Sequence, residues 1–496
     1  MSGAERAPRA DTDLAASGAG GVWQARYFWV TLGAVAMILL AATQALAVTT
    51  VMPLVAADLG GDALYAVAFS GTLATSVIGM VAVGAWCDRR DPVLPLATSV
   101  ALFVAGLVIA GSAPSMEVLV LGRLLQGLGT GGQTVALYVV VARVYPPALH
   151  GRVFAAFSAA WVIPSIVGPL LAGFVAEQLH WRWVFFGVAV LTLVAFTMVY
   201  LRLRGLTLRI DDPGHAPVAR RLALASVVAA GALALSLAGE AGAWTGVMVV
   251  VALIAIALAI RPLLPPGTLR TRRGLPSVVL MRALIAGALF GAEIYVPYLL
   301  IDEDGFSATA AGFGLTAAAL LWAAGAEVQG RFGDRLGNAR ITLIGASLLA
   351  AAALVAAATA AWHLPAWTII AGWSLAGAGM GLMYPRLTVL TLAYSTPQNQ
   401  GFNSAALSIS DSIGAAASIA VMGLTFVALK ATDASFPAVF LIAAALAVLA
   451  VVPGLRMGRV AEAGPADGAV TGPATAFTTS RGRTTRPRRG RAASSP

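Results

Sequence analysis

About fourteen apolar stretches, each long enough to cross a ~30 Å hydrocarbon layer, follow one another between Tyr27 and Val452. Backbone in lipid must satisfy its own hydrogen bonds, so such a chain is confined to membrane-crossing helices joined by short connections. The composition agrees. With 59% hydrophobic residues, 11% charged residues and a mean hydropathy of +0.85 over 496 residues, the chain is too apolar for a water-soluble fold. An all-α polytopic membrane protein is expected.

Span 1 is expected over Tyr27 to Pro53. Spans 2 to 6 start near Tyr65, Val93, Glu117, Val153 and Trp183, and span 6 ends near Leu201. Two shorter spans follow, A (Leu222 to Ala238) and B (Trp244 to Ile260), and spans 7 to 12 start near Val278, Phe306, Ile341, Trp367, Phe402 and Phe436. The implied organisation is a tail over 1–22, a six-helix bundle over 23–204, a linker with two additional spans over 205–274, a second bundle over 275–455 and a basic tail over 456–496. Both tails are small and polar in composition and are expected to be disordered. Met1 to Gly21 lacks a signal-peptide pattern, so span 1 itself is expected to direct insertion.

The net charge of +10 does not point to nucleic acid, because of where the charges fall. Arg89, Arg90, Arg143, Arg152, Arg202, Arg204, Arg331, Arg340 and Arg386 are assigned to alternate connections, while Asp58, Asp62, Glu117, Glu240, Glu303 and Asp304 fall in the others. This positive-inside pattern places both termini in the cytoplasm and requires an even number of spans, with Arg182 and Lys430 as exceptions. The single cysteine, Cys87, excludes an intrachain disulfide and a thiolate metal cage. His150, His180, His215 and His363 are scattered in loops without metal-ligand spacing, and no Gly-x-x-x-x-Gly-Lys phosphate loop is present. No cofactor or metal is expected, and an enzyme is disfavoured.

A short signature occurs twice at the ends of apolar segments: Gly84, Asp88 and Arg89, then Gly330, Asp334 and Arg335, the second followed by Gly337 and Arg340. Gln126, Gly127, Gly129 and Gly131 are echoed by Ala376, Gly377, Gly379 and Gly381. Gly151, Ala155, Ala156 and Ser158 are echoed by Gly401, Ala405, Ala406 and Ser408, again about 250 residues on. Spans 1 to 6 and 7 to 12 thus form two equivalent bundles with A and B between them. Parallel repeats of this kind place a substrate path at the bundle interface near the midplane.

These residues resemble the major facilitator superfamily over nearly the whole chain apart from the tails, and the extra pair A and B is similar to its fourteen-helix drug:proton antiporter branch. Pro164, Gly168, Pro169 and Gly173 in span 5 are similar to the Gly-x-x-x-Gly-Pro-x-x-Gly-Gly pattern associated with exporters. Arg123, Gln126 and Gly127 in span 4 are similar to the superfamily's Arg-x-x-Gln-Gly pattern. The first copy of the duplicated signature has Asp91 and Pro92 where the family usually has Gly and a basic residue, so the second copy is the closer match. In span 1, Gln44 stands where relatives often carry a carboxylate. The resemblance implies alternating access, with the duplicated signature (Gly84, Asp88, Arg89, Gly330, Asp334, Arg335) and the span 5 pattern (Pro164, Gly168, Pro169, Gly173) as conformational elements. It also implies a multi-pass protein of a bacterial plasma membrane.

An ionisable side chain within a membrane is costly and is a functional candidate for that reason. Glu293 in span 7 and Asp411 in span 11 fall near mid-depth and Arg123 in the outer half of span 4, and these three are the candidates for proton coupling. Each has a competing structural reading: a hydrogen bond to a neighbouring helix for Glu293, a polar packing seam with Ser404, Ser408 and Ser412 for Asp411, and a bridge to backbone carbonyls for Arg123. Glu327 is expected to pair locally with Arg331. Candidate substrate contacts are Gln44, Gln126, Trp161, Phe290, Tyr295, Trp322 and Tyr384, with interhelical packing as the competing role of the aromatic residues. The paired prolines of span 5 should bend it.

The expected function is proton-coupled outward transport of an amphipathic or lipid-like small molecule by a monomer surrounded by membrane lipid. An uncoupled or symporting carrier of a lipid or metabolite is the alternative, favoured by Gln44. A receptor using the same fold is disfavoured because no loop or tail is long and apolar enough to fold alone.

Overall fold

A computed structural model describes residues 21–60, 64–205, 208, 218–237, 242–306, 315–429 and 431–458. Glu240, Lys430 and the greater part of both tails lie outside them. The order of helices follows the apolar stretches. In the first half, span 1 is Phe28–Leu59, span 2 Tyr65–Cys87, span 3 Val93–Gly111, span 4 Met116–Val144, span 5 the pair Pro147–Ala159 and Val162–Gln178, and span 6 Arg182–Leu203. Spans A and B are Val218–Leu237 and Thr245–Ile260. In the second half, span 7 is the pair Leu275–Glu293 and Tyr295–Asp302, span 8 Thr316–Leu336, span 9 Asn338–Trp362, span 10 Ala366–Ala393, span 11 Gln400–Leu429 and span 12 Ser435–Leu455.

Among the described residues, twelve helices are long and apolar enough to cross a membrane. Span 5, divided in two, and span 8, which carries Glu327, Arg331, Asp334 and Arg335 in its second half, make up the remainder, and the total fits fourteen. Span 1 runs past Pro53 to Leu59, where Gly60 at φ 61° returns its amide to the Ala56 carbonyl and ends the helix.

Proline explains both divided spans. Span 5 was expected to bend because of Pro164 and Pro169, and it is broken at Ala160 and Trp161, one turn before the first of them. Pro164 lacks an amide hydrogen and its ring crowds the carbonyl of Ala160, four residues back. Span 7 is interrupted at Ile294 by the same relationship, since Pro297 lies four residues after Glu293. That interruption was not foreseen.

Two apolar cores separate along the chain. Met37, Phe103, Leu107 and Phe185 anchor one, and Met281, Leu349, Trp373 and Phe440 the other. Within each bundle, close helix approach depends on glycine at matching places. A Cβ on Gly127 or Gly131 would strike the carbonyls of Thr72 or Ser76 in span 2, and one on Gly377 or Gly381 would strike those of Ala318 or Trp322 in span 8. Threonines add hydrogen bonds between spans 2 and 4: Thr72 to the Arg123 carbonyl at 3.2 Å and Thr75 to the Leu124 carbonyl at 2.8 Å. Span A packs along span 2, and span B packs on A. The Arg221 guanidinium at the start of A lies 4.1 Å above the Phe402 ring of span 11.

Candidate functional site

The two bundles meet at the arginine-rich face through the duplicated signature. The end of span 2 lies so near the start of span 11 that a Cβ on Gly84 would sit 2.6 Å from the Gly401 carbonyl oxygen. Asp88, one residue beyond span 2, accepts hydrogen bonds from the backbone amides of Gly401 at 2.6 Å and Phe402 at 2.8 Å. A carboxylate at a helix start satisfies amides that have no partner within the helix. Burial pushes the Asp88 carboxyl up to about 6, against the opposing pull of the two amides, Arg143 and Arg221. Arg143 braces the same turn by donating to the carbonyls of Cys87 at 2.7 Å and Leu208 at 3.0 Å.

The second copy behaves differently. Gly330 faces Gly151 and Ala155 of span 5, but Asp334 accepts from Arg386 Nη1 at 2.7 Å within its own bundle. The copy nearer the family pattern is therefore not the one whose carboxylate bridges the bundles. Asp91, where the first copy departs from that pattern, accepts from the Val93 amide at 2.9 Å and fixes the start of span 3. Arg89 and Arg335 are exposed. Arg386, expected in a connection, lies inside span 10, where Asp334 and the Asn338 side chain at 2.8 Å hold it. His150, also expected in a loop, lies in the first piece of span 5, with Nε2 at 2.9 Å from the Tyr145 carbonyl oxygen.

Deeper in the second bundle, Asp411 is the centre of a polar cluster. Arg282 Nε donates to its Oδ1 at 2.9 Å, and the Tyr384 hydroxyl donates to its Oδ2. The Arg282 guanidinium also donates to the Tyr384 carbonyl at 3.0 Å and lies 3.1 Å from the centre of the Tyr384 ring. Tyr138 of span 4 reaches Arg282 and Thr388 from the other bundle. Arg282, only 2% exposed, was missed in the sequence. Its signal was present: with span 7 starting at Leu275, it lies about 10 Å along the helix, too deep for the connection.

Phe290, Trp322 and Tyr384 form a continuous aromatic run, with centroids 6.4 Å and 5.3 Å apart, that ends at Asp411. Tyr295 instead packs on Phe426, and Trp161 stands exposed at the break in span 5. Arg123 donates to the Ala68 carbonyl at 3.0 Å and to Gln126 Oε1 at 2.7 Å. Glu293 lies at the interruption of span 7, and among the described residues no cation, Arg123 included, forms an ion pair with it. Gln44 is fully buried, with both side-chain polar atoms unpartnered among the described residues. Gly168 and Gly173 have room around them, Pro164 is buried, and Pro169 lies in the same second piece of span 5. Glu327 pairs with Arg331, and Arg182 caps the end of span 3 at the Ala113 carbonyl, 2.7 Å away.

Two helical bundles meeting at a buried polar cluster, with one interface latched, define a membrane transporter. The profile of the Major Facilitator Superfamily matches residues 32–292 and 278–487, and the chain belongs to that superfamily. It is 32% identical over 294 residues to an uncharacterized MFS-type transporter of Mycobacterium tuberculosis, covering 55% of this chain but 41% of that protein, well under half its length. A probable multidrug-efflux transporter of the same organism is 25% identical over 433 residues, covering 82% of this chain and 89% of the relative. The fold also matches the human organic anion transporter MFSD10, with a TM-score of 0.65 at 16% identity over 86% of this chain and 99% of the other.

Proposed function

We propose that the chain exports amphipathic small molecules across a bacterial plasma membrane in exchange for protons, with both termini in the cytoplasm. The observation that carries this reading is the Arg282–Asp411–Tyr384 cluster, which places an acid in the membrane beside an aromatic run and within reach of Tyr138 from the opposite bundle. Protonation of Asp411 ends its ionic hold on Arg282 and frees the guanidinium to change partners. Glu293, at the interruption of span 7, is the second acid, and Phe290 and Trp322 are the apolar surface offered to substrate. Arg123 and Gln126 form a second polar layer in the first bundle.

The arginines beside Asp88 support a cytoplasmic position for the latch between spans 2 and 11. With that latch made, access is from the outer side; breaking it opens the cytoplasmic side. The resemblance to a probable multidrug-efflux transporter over 82% of this chain favours an amphipathic, drug-like substrate. A carrier without proton coupling is the second reading, favoured by the neutral, buried amide of Gln44. Ethidium uptake into inverted membrane vesicles energised by a proton gradient tests the first. Uptake that collapses with a protonophore, and is lost in Asp411→Asn, is expected. Uptake indifferent to the gradient supports the second.

A further inference from the structure

Spans A and B are the least packed of the candidate spans, each 28% buried, and the transport reading gives them no part. Between span B, the connection that follows it, and spans 7 and 11 runs an open groove of about 420 Å³. Its wall is Ile256, Ala257 and Ile260 of B and Leu280 of span 7, with Ile413 and Ala417 of span 11 opposite. No carboxylate lines it, and Arg261 stands exposed at its rim. Span B ends at Ile260 on the arginine-rich face, and the connection beyond carries the exposed Arg270, Arg272 and Arg273. The groove therefore starts at a cationic edge and extends into the apolar layer, to about 12 Å along span 7 and about 25 Å along span 11.

We infer that this groove binds one acyl chain of an anionic phospholipid, with the lipid phosphate held at Arg261. The charge at the rim selects the lipid. A zwitterionic headgroup offers no net charge to an arginine, whereas an anionic one is attracted to juxtamembrane cations. The shape selects a chain, because the wall is almost wholly apolar and a continuous concavity removes more methylene surface from neighbouring lipid than a flat helix face does. The base of the groove is where spans 7 and 11 touch most closely: a Cβ on Gly414 would strike the Ala283 carbonyl. Ala283 follows Arg282, and Gly414 is one turn beyond Asp411. A lipid seated here braces the two helices that hold the ion pair, and this gives span B a function as the outer wall of a lipid site, with span A packed against it.

The test is native mass spectrometry of the full chain, titrated in detergent with phosphatidylglycerol, phosphatidylethanolamine or inorganic phosphate. One retained phosphatidylglycerol per chain is expected, with phosphatidylethanolamine held about fivefold less, the weight of one arginine at an anionic surface. Arg261→Gln should remove that preference. Ala257→Trp, on an exposed position of span B that lines the groove, should fill it and reduce retention of both lipids. Equal retention of the two lipids by the unaltered chain, unchanged retention in Ala257→Trp, or displacement of the lipid by inorganic phosphate alone would overturn the inference. Thermal unfolding of both variants without lipid, expected to match the parent, keeps loss of binding distinct from loss of fold.

Discussion

Asp88 at the end of span 2 takes the backbone amide of Gly401, 313 residues away, at 2.6 Å, and this bond closes one face of the molecule. The balance between the closed and open forms depends on pH. The carboxyl is pushed by burial from its ordinary 3.8 to about 6, so between those values the closed form holds a proton that an open, solvated Asp88 has already released. Acid therefore favours closure. The advantage is fully present below about pH 4 and is lost as the pH rises through about 6, and the gap corresponds to at most about 3 kcal/mol. Distances between spin labels at the ends of spans 2 and 11 should lengthen in population over that range, and Asp88→Asn should flatten the response.

Breaking the Arg282–Asp411 pair leaves one buried charge uncompensated. Asp411→Asn, which strands the buried Arg282, should lower stability by about 3–5 kcal/mol, read as unfolding in detergent, and Arg282→Gln should cost less because Asp411 is half-buried. The double variant should recover a large part of that loss, because no unpaired charge remains. Additive losses would show that the two residues do not act as a pair.

Glycine at different positions should respond oppositely. Gly127→Leu and Gly377→Leu push a side chain into a carbonyl of the neighbouring helix and should cost about 3 kcal/mol or more, seen as loss of folded protein on size exclusion. Among the described residues nothing lies within 4 Å of where a methyl group on Gly173 would sit, so Gly173→Ala should hold stability within about 1 kcal/mol or raise it.

Gln44 separates stability from function. A buried amide without partners contributes little to folding, and Gln44→Leu should leave the melting temperature unchanged or higher. A raised KM for substrate in that same variant is expected if the amide contacts the cargo. An unchanged KM would remove Gln44 from the site.

The span order and the repeat were legible because lipid imposes a length on every helix, and close helix packing imposes glycine at Gly127, Gly131, Gly377 and Gly381. The polar cluster was only half legible. Asp411 and Tyr384 stood out as polar or aromatic groups in apolar runs, but Arg282 was obscured by a span start placed at Val278 rather than Leu275. Arg386 was misplaced for a related reason: a charge satisfied by Asp334 and Asn338 inside a helix reads, in one dimension, like a charge in water. The asymmetry between the two signature copies depends on which carboxylate meets a helix start across the interface, and no single segment carries that information.

Substrate-triggered proton flux tests most directly whether outward movement of cargo is exchanged for protons. Purified protein in liposomes with a trapped pH indicator and an imposed pH gradient is given a panel of lipophilic cations and neutral amphiphiles, with Asp411→Asn and Glu293→Gln alongside. Proton movement on substrate addition, lost in Asp411→Asn, is the predicted result, with Glu293→Gln reporting whether the second acid takes part. Substrate movement with no proton flux, or full flux retained in Asp411→Asn, would contradict it.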